Sequence, residues 1–254
     1  MIQSGALRKF QEFNRSAKYF DAIYADRDFD NWAKLYSNNL GPGVLLEYGC
    51  GTGEMLRRFN RADAFGVEPC EEMASVARGK GCKVTAGTML NSGCRADTAC
   101  APWSVLGYAA AQDGLFPCLR AVREALNKPG NVFCFDVTHI LGVAKCGLHS
   151  GFIQKFPTPD GELTRVTHKD VDWKSGLLRV IFDFHINEIS WHEIHVMRCF
   201  TVPEIANALH ECGFRMASLW PCPSQVRDDS PGHGDLTALV NDCTWEFFVK
   251  AVTI

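Results

Sequence analysis

The sequence predicts an α/β fold: a seven-stranded, mostly parallel sheet with helices on both faces, a helical cap before it and an antiparallel β insertion near its C-terminal end. Three observations predict it. Apolar runs of strand length alternate with helical patterns from residue 44 to residue 137, the signature of a parallel sheet covered on both faces. A glycine-rich loop, Gly49-Cys50-Gly51-Thr52-Gly53, joins the first of those strands to the first of those helices. Residues 177–187 then change to strict two-residue alternation, as in an antiparallel strand with one face buried.

Taken in chain order, Phe10, Phe13, Tyr19, Phe20, Ile23 and Tyr24 recur at mixed three- and four-residue spacing. This predicts helix over much of the first 40 residues, with a second piece starting near Asp28 and turning Trp32 and Leu35 inward. Gly41-Pro42-Gly43 breaks the chain. Strands are expected at 44–48, 64–68, 83–86, 97–102 and 131–137, and helices at 55–59, 71–78 and 115–126. Leu178, Val180, Phe182, Phe184 and Ile186 share one face of the alternating strand, 191–200 reads as its partner and 163–171 as a third strand. Thr201-Val202-Pro203-Glu204 is a capping box with proline in the first turn, and its helix stops at Cys212-Gly213. Residues 216–220 and 245–252 supply the last strands, with a polar loop over 221–235 between them. The expected division is a helical cap over 1–40, the core over 41–148, the insertion over 149–200 and the returning part of the core over 201–254.

Composition removes several function classes. The 26 Lys and Arg against 29 Asp and Glu give a formal charge of −3, without the broad basic footprint of a polynucleotide partner. No stretch is apolar over the roughly 18 residues of a membrane span, and Met1-Ile2-Gln3-Ser4-Gly5-Ala6-Leu7-Arg8-Lys9-Phe10 lacks the apolar core of a signal peptide. A soluble cytoplasmic protein is expected. The 12 cysteines include no C-x-x-C pair and no histidine at zinc spacing. They read as reduced thiols acting as small hydrophobes, and no metal is expected.

A glycine loop between strand and helix allows close backbone approach and opens a helix N-terminus to a ligand. Dinucleotide sites use G-x-G-x-x-G. Here the spacing is G-x-G-x-G, with Glu47 two residues upstream and Glu68 ending the next strand 15 residues after Gly53. An acid at that second position can accept both ribose hydroxyls of a nucleoside.

Glu47-Tyr48-Gly49-Cys50-Gly51-Thr52-Gly53-Glu54, followed by Ala64-Phe65-Gly66-Val67-Glu68-Pro69, resembles the class I S-adenosylmethionine (SAM) dependent methyltransferases, whose fold is Rossmann-like. Phe20-Asp21-Ala22-Ile23-Tyr24 with Arg27-Asp28-Phe29 resembles the Y-D-x-x-Y…K-D-Y signature of small-molecule members. Trp103-Ser104-Val105-Leu106-Gly107-Tyr108 resembles their F-H-V-I-S-Y segment, and Glu193-Ile194-His195-Val196-Met197-Arg198-Cys199-Phe200 their E-x-H-x-M-R-Y-F strand. The nearest branch holds the N-methyltransferases of nucleotide-linked amino sugars.

The resemblance implies that Gly49, Gly51 and Gly53 border the methionine part of SAM, that Glu47 orders its amino end and that Glu68, with Pro69 after it, holds the ribose. Met73, Trp103 and Tyr24 are further candidates around the cofactor. The family usually shows G-D-M after the third strand, its Asp taking the adenine amino group. Gly87-Thr88-Met89 stands here, so Thr88 replaces the acid while Met89 can still lie on the ring. Two more departures are Phe20 for the first tyrosine of the signature and Ser104 for the histidine of F-H-V.

Methyl transfer from SAM is a direct in-line displacement, so the protein must align donor and acceptor, exclude water and handle a proton. Two-residue alternation puts Glu193, His195 and Met197 on one strand face. A carboxylate beside a histidine can hold its tautomer and raise its basicity. The competing reading is a solvated cross-strand pair. Tyr108 follows the fourth strand, where ligands meet an open parallel sheet. The catalytic candidates are therefore His195, Glu193 and Tyr108. The expected acceptor is a small-molecule amine or hydroxyl, with a homodimer as the assembly to test. A non-catalytic SAM-binding scaffold is the alternative. A nucleic-acid methyltransferase is disfavoured by the charge balance and by the absence of a D/N-P-P-[YF] motif.

Overall fold

The computed structural model describes residues 13–148, 150–222 and 244–254. Phe10 and most of the expected loop over 221–235 lie outside the described residues. In chain order the strands are β1 (Leu45–Tyr48), β2 (Ala64–Glu68), β3 (Val84–Ala86), β4 (Thr98–Ala101), β5 (Val132–Thr138), β6 (Phe152–Thr158), β7 (Gly161–Asp172), β8 (Leu177–Ile186), β9 (Ile189–Arg198), β10 (Phe214–Pro221) and β11 (Glu246–Thr253). The helices are α1 (Phe20–Ile23), α2 (Phe29–Ser37), α3 (Glu54–Arg58), α4 (Glu71–Gly79), α5 (Val105–Asp113), α6 (Leu115–Ala125), α7 (Ile140–Cys146) and α8 (Val202–Glu211).

Seven strands form the main sheet in the order β10-β11-β5-β4-β1-β2-β3. All neighbouring pairs are parallel except those made by β11, which runs antiparallel to β5 and β10. This is the predicted Rossmann-like sheet. β1, β4 and β5 are buried at every position, which explains why their sequences are apolar runs without alternation. Strand order reverses between β1 and β4, and an open sheet of this kind forms its ligand crevice at that switch point.

The insertion is a four-stranded antiparallel meander, β6-β7-β8-β9. It has one strand more than the alternation indicates. β6 is an edge strand with six of its seven residues exposed or half-buried and only Phe156 buried, so it carries no period to read. The cross-strand rows run Gln154–Arg165–Phe184–Trp191, then Phe152–Thr167–Phe182–Glu193, then Lys169–Val180–His195. Residues directly opposite share a face, and this face turns towards the core: Phe184, Glu193 and His195 are all buried.

The cap departs from the long helix expected. It is a 3₁₀ turn at Ala17–Tyr19, the four-residue α1 and then α2, which Asp28 caps by accepting from the Asn31 N–H at 3.0 Å. The aromatic residues behind the expectation disperse to several surfaces instead of one stripe. Tyr19 donates its hydroxyl to Asp160 at the β6–β7 turn, Asp21 accepts from the Thr52 hydroxyl in the glycine loop, and Trp32 packs on Trp103. α5 also carries no amphipathic signal. α5 is Val-Leu-Gly-Tyr-Ala-Ala-Ala-Gln-Asp, apolar nearly all round, because it is wedged between β5 and β9. There a Cβ on Gly107 would stand 3.0 Å from the Arg198 carbonyl oxygen. No helix among the described residues is long and apolar enough to cross a membrane.

Candidate active site

A deep cleft opens at the switch point, beyond the C-terminal ends of β1, β2 and β4. Its floor is the glycine loop. Gly49, Gly51 and Gly53 have φ of +62°, +54° and +81°, a region that L side chains rarely adopt. The three differ in what surrounds them. A Cβ on Gly49 would meet Val105 at 2.6 Å, and one on Gly53 would meet the Cys82 sulfur at 2.7 Å. Gly51 has nothing within 4 Å on that side, because it faces the cleft. Gly53 is thus held by packing and is not on the cleft surface, while Gly49 and Gly51 are.

Two buried acids flank the loop. Glu47, at the end of β1, is 2% exposed, and its Oε2 has no hydrogen-bond partner. Burial, and then the neighbouring Glu68, push its carboxyl well above the ordinary value. A buried carboxylate oxygen left without a donor is a costly arrangement unless a ligand supplies one. Glu68, at the end of β2, accepts from the Gly51 N–H through Oε2 at 2.8 Å and from the Cys70 N–H through Oε1 at 2.9 Å. Burial raises it to about 7 against these two hydrogen bonds, which lower it. Each oxygen keeps a further lone pair for a ligand donor.

The remaining sequence-predicted cofactor residues fall around this floor. Pro69, Met73, Thr88, Met89 and Trp103 line the cleft. Met73 and Met89 are 2% and 5% exposed. The Thr88 hydroxyl contacts the Asn91 carboxamide oxygen at 3.0 Å and accepts from the Leu90 N–H at 3.2 Å, so it is engaged within its own turn. Tyr24 stands one ring back from the cleft surface. Its ring is flanked by Arg27 at 4.0 Å and Arg165 at 5.5 Å, and Arg27 also lies 4.3 Å from the Trp103 ring.

Trp103 and Ser104 carry the least expected backbone. Both adopt positive φ, +65° and +56°, and the strain is held by Asp136 on β5. Its Oδ1 accepts from the Trp103 N–H and its Oδ2 from the Ser104 N–H, each at 2.7 Å. The Tyr36 hydroxyl adds a third bond at 2.6 Å. Burial raises Asp136 to about 6. Sequence reasoning missed this residue. The available signal was an acid inside the apolar run Phe133-Cys134-Phe135-Asp136-Val137, since a carboxylate in a central strand must have donors. Phe13, Phe20 and Arg27, which also line the cleft, were likewise missed as site residues.

The opposite wall belongs to α5, with β9 of the insertion packed behind it. Tyr108 lines the cleft, and its hydroxyl lies 3.3 Å from His195 Nδ1. His195 is 1% exposed and sits behind Tyr108 and Phe13, whose ring meets it edge-on at 4.5 Å. Its Nε2 has no hydrogen-bond partner and lies 3.6 Å from Glu193 Oε2. Glu193 Oε1 accepts from the Ser16 N–H at 3.0 Å and the Trp191 indole N–H at 3.3 Å. Glu193 and His195 are therefore a buried pair, not a solvated one. Met197 completes the row by taking the Thr138 hydroxyl at 3.8 Å, next to Ser104.

Comparison with known proteins adds the fold. No protein-family model matches the chain, and no curated protein matches it in sequence. Solved structures do. A SAM-dependent methyltransferase from Clostridium acetobutylicum superposes with a TM-score of 0.71 at 20% identity, over 95% of this chain and 98% of that one. The fold is shared with SAM-dependent methyltransferases. CalS10, an amino pentose methyltransferase of Micromonospora echinaspora, aligns at 16% identity over 93% of this chain and 97% of its own, with a TM-score of 0.68. The sugar N-methyltransferase KedS8 of a Streptoalloteichus species aligns at 19% identity over 91% of each chain, with a TM-score of 0.66. Because all three superpose over nearly their full length, the similarity takes in the cap and the insertion as well as the core.

Proposed function

We propose that the protein is a SAM-dependent methyltransferase acting on an amine or hydroxyl of a small molecule. The observation that carries this reading is the Glu47 carboxylate oxygen, buried at the cleft floor without a donor beside a Gly51 whose Cβ direction is open. Glu47 suits the ammonium of SAM, Glu68 its ribose, and Met73 and Met89 its adenine. Thr88, engaged with Asn91, leaves adenine to be held by shape more than by a charged acceptor. When bound, the cofactor supplies a sulfonium methyl for in-line displacement.

The chain's own contribution is alignment, dryness and proton handling. Phe13 and Phe20 close the cleft against water. The Tyr108 hydroxyl, on the cleft wall, orients the acceptor and passes its proton to His195 Nδ1. With Tyr108 donating to Nδ1, the neutral histidine carries its hydrogen on Nε2, towards Glu193. Gaining a second proton makes the ring a cation, and Glu193 at 3.6 Å compensates that charge. Ser16 and Trp191 in turn hold Glu193 in place. The fold likeness to a sugar N-methyltransferase favours an amine acceptor, and the charge balance favours a small molecule over nucleic acid. A cytoplasmic homodimer is the state we expect in the cell.

Isothermal titration with SAM and with its demethylated product tests the reading. Saturable binding of both is expected. Binding of neither would favour a scaffold that keeps the fold without the chemistry.

A further inference from the structure

Arg165 is the one buried Lys or Arg among the described residues, at 7% exposure, and no carboxylate lies within ion-pair distance of it. Its guanidinium is surrounded by the rings of Phe182, Phe156 and Tyr24 at 4.7, 5.1 and 5.5 Å. It donates to Gln154 Oε1 at 2.6 Å and, at the long distance of 3.4 Å, to the Tyr24 hydroxyl. Its Nε is buried without a partner. The next inward position on β7, Thr167, is 1% exposed and its hydroxyl is also buried without a partner. The one after that is Lys169, half-buried against Trp245 at 5.3 Å, with Glu246 as its nearest opposing charge. Three consecutive inward side chains of one strand thus present two cations and a hydroxyl, and two of the three hold orphaned polar atoms.

Burying a charge without a counter-ion is strongly unfavourable. Aromatic faces and one carboxamide compensate a guanidinium in part. The nearest acid on the same sheet face, Glu193, belongs to β9, two strands away, and is already bonded to Ser16 and Trp191. What Arg165 lacks is an anion. The geometry of the sheet also says how far that anion stands from the chemistry. Lys169, Val180 and His195 form one cross-strand row, and two strand spacings make about 10 Å.

We infer that the methyl acceptor is an anionic small molecule, its carboxylate or phosphate group held by Arg165, Thr167 and Lys169 on β7 and its methylated atom about 10 Å away at the Tyr108–His195 end. This deepens the proposed function and rests on it. An acid or phosphate ester of that length would lie across the inner face of the insertion, behind the ring of Tyr24, with the cofactor cleft on the other side. Arg165 would then be a specificity residue, rejecting neutral analogues because they leave its charge uncompensated.

The test follows the thermal unfolding midpoint of the full chain against inorganic phosphate and, separately, acetate, with ionic strength held constant by potassium chloride. SAM binding is measured alongside by titration calorimetry. A saturable rise with either ion is expected: a response to phosphate alone identifies a phosphate ester, and a response to acetate a carboxylate. Arg165→Met should abolish the response, and Lys169→Gln should raise the midpoint concentration about tenfold, the loss of one charged contact. Arg165→Met should also unfold at a higher temperature than wild type without any ion, because an uncompensated buried charge has gone. No response of the wild type to either ion would overturn the inference, as would a response that survives in both variants. Should Arg165→Met fail to fold, Lys169→Gln decides alone, and an unchanged midpoint concentration there would count against the site. SAM binding that persists when the anion response is absent separates failure of this inference from failure of the functional reading.

Discussion

The two walls of the cleft are built on different principles. The cofactor wall is local and made largely of backbone. One strand, one turn and the next strand end place Glu47, Gly49, Gly51 and Glu68 within 22 residues, and Glu68 itself holds the Gly51 N–H. The acceptor wall, with the layer behind it, is assembled from groups far apart in sequence. Phe13, Ser16, Tyr108, Glu193 and His195 come from the cap, α5 and β9. The first wall tolerates few changes because its conformation depends on glycine. The second can be re-chosen residue by residue, which is how one fold can serve many acceptors.

That contrast predicts where mutations act. The largest effect is expected on the cofactor wall. Gly51→Val should remove SAM binding from a folded protein, since the new side chain enters the cleft and a β-branched residue is strained at φ +54°. Circular dichroism would confirm the fold, and calorimetry at wild-type affinity would break the assignment.

The next effect belongs to the acceptor wall. His195→Ala should lower turnover by roughly 10²–10⁴-fold, the usual worth of a positioned base, with SAM affinity nearly unchanged. A loss under about tenfold would say that proximity does most of the catalysis and would sharpen the choice towards an amine, which can enter neutral. Glu68→Ala should weaken SAM binding by about 1.5–3 kcal/mol, the range for hydrogen bonds to a charged group. It should do so partly by freeing the Gly51 and Cys70 N–H groups, so an unchanged dissociation constant would mean that the ribose lies elsewhere.

The smallest effect concerns pH, and its sign differs between ligand-free and bound protein. Burial raises Asp136 from 3.8 to about 6 and Glu68 from 4.5 to about 7. Both acids bind protons more tightly folded than unfolded. The stability they contribute is therefore complete below about pH 4 and lost as pH rises towards 7. Ligand-free protein should unfold at a lower temperature at pH 8 than at pH 5.5. SAM binding should run the other way and strengthen with rising pH, because its ammonium requires Glu47 ionised. A midpoint that climbs steadily with pH in ligand-free protein would contradict the dominance of burial over hydrogen bonding at these two acids.

How much was legible follows the same division. The strands of the core, the glycine loop, the Thr201 capping box and the inward face of β8 and β9 were readable, because each is a local period or a residue with one conformational use. The cap, for example, forms with Thr201 accepting from the Glu204 N–H, while the Glu204 carboxylate turns to Arg198 in place of the reciprocal bond of a capping box. α5 was not readable, because a helix buried on most sides has no polar stripe. β6 was not, because only Phe156 of this edge strand is buried. The role of Asp136 was hidden for another reason: its partners, Tyr36 and the Trp103–Ser104 backbone, are 100 and 33 residues away. Alternation put Glu193 and His195 on one face, yet nothing local indicated that Phe13 and Ser16 would seal them from water.

The most direct test of the central claim is a crystal structure of the protein with the demethylated cofactor product. The expected result is an amino group on Glu47 Oε2, ribose hydroxyls on Glu68, adenine between Met73 and Met89, and the sulfur directed at the Tyr108–His195 wall. A ligand bound with its sulfur turned away from that wall, or held outside the glycine loop, would contradict the account.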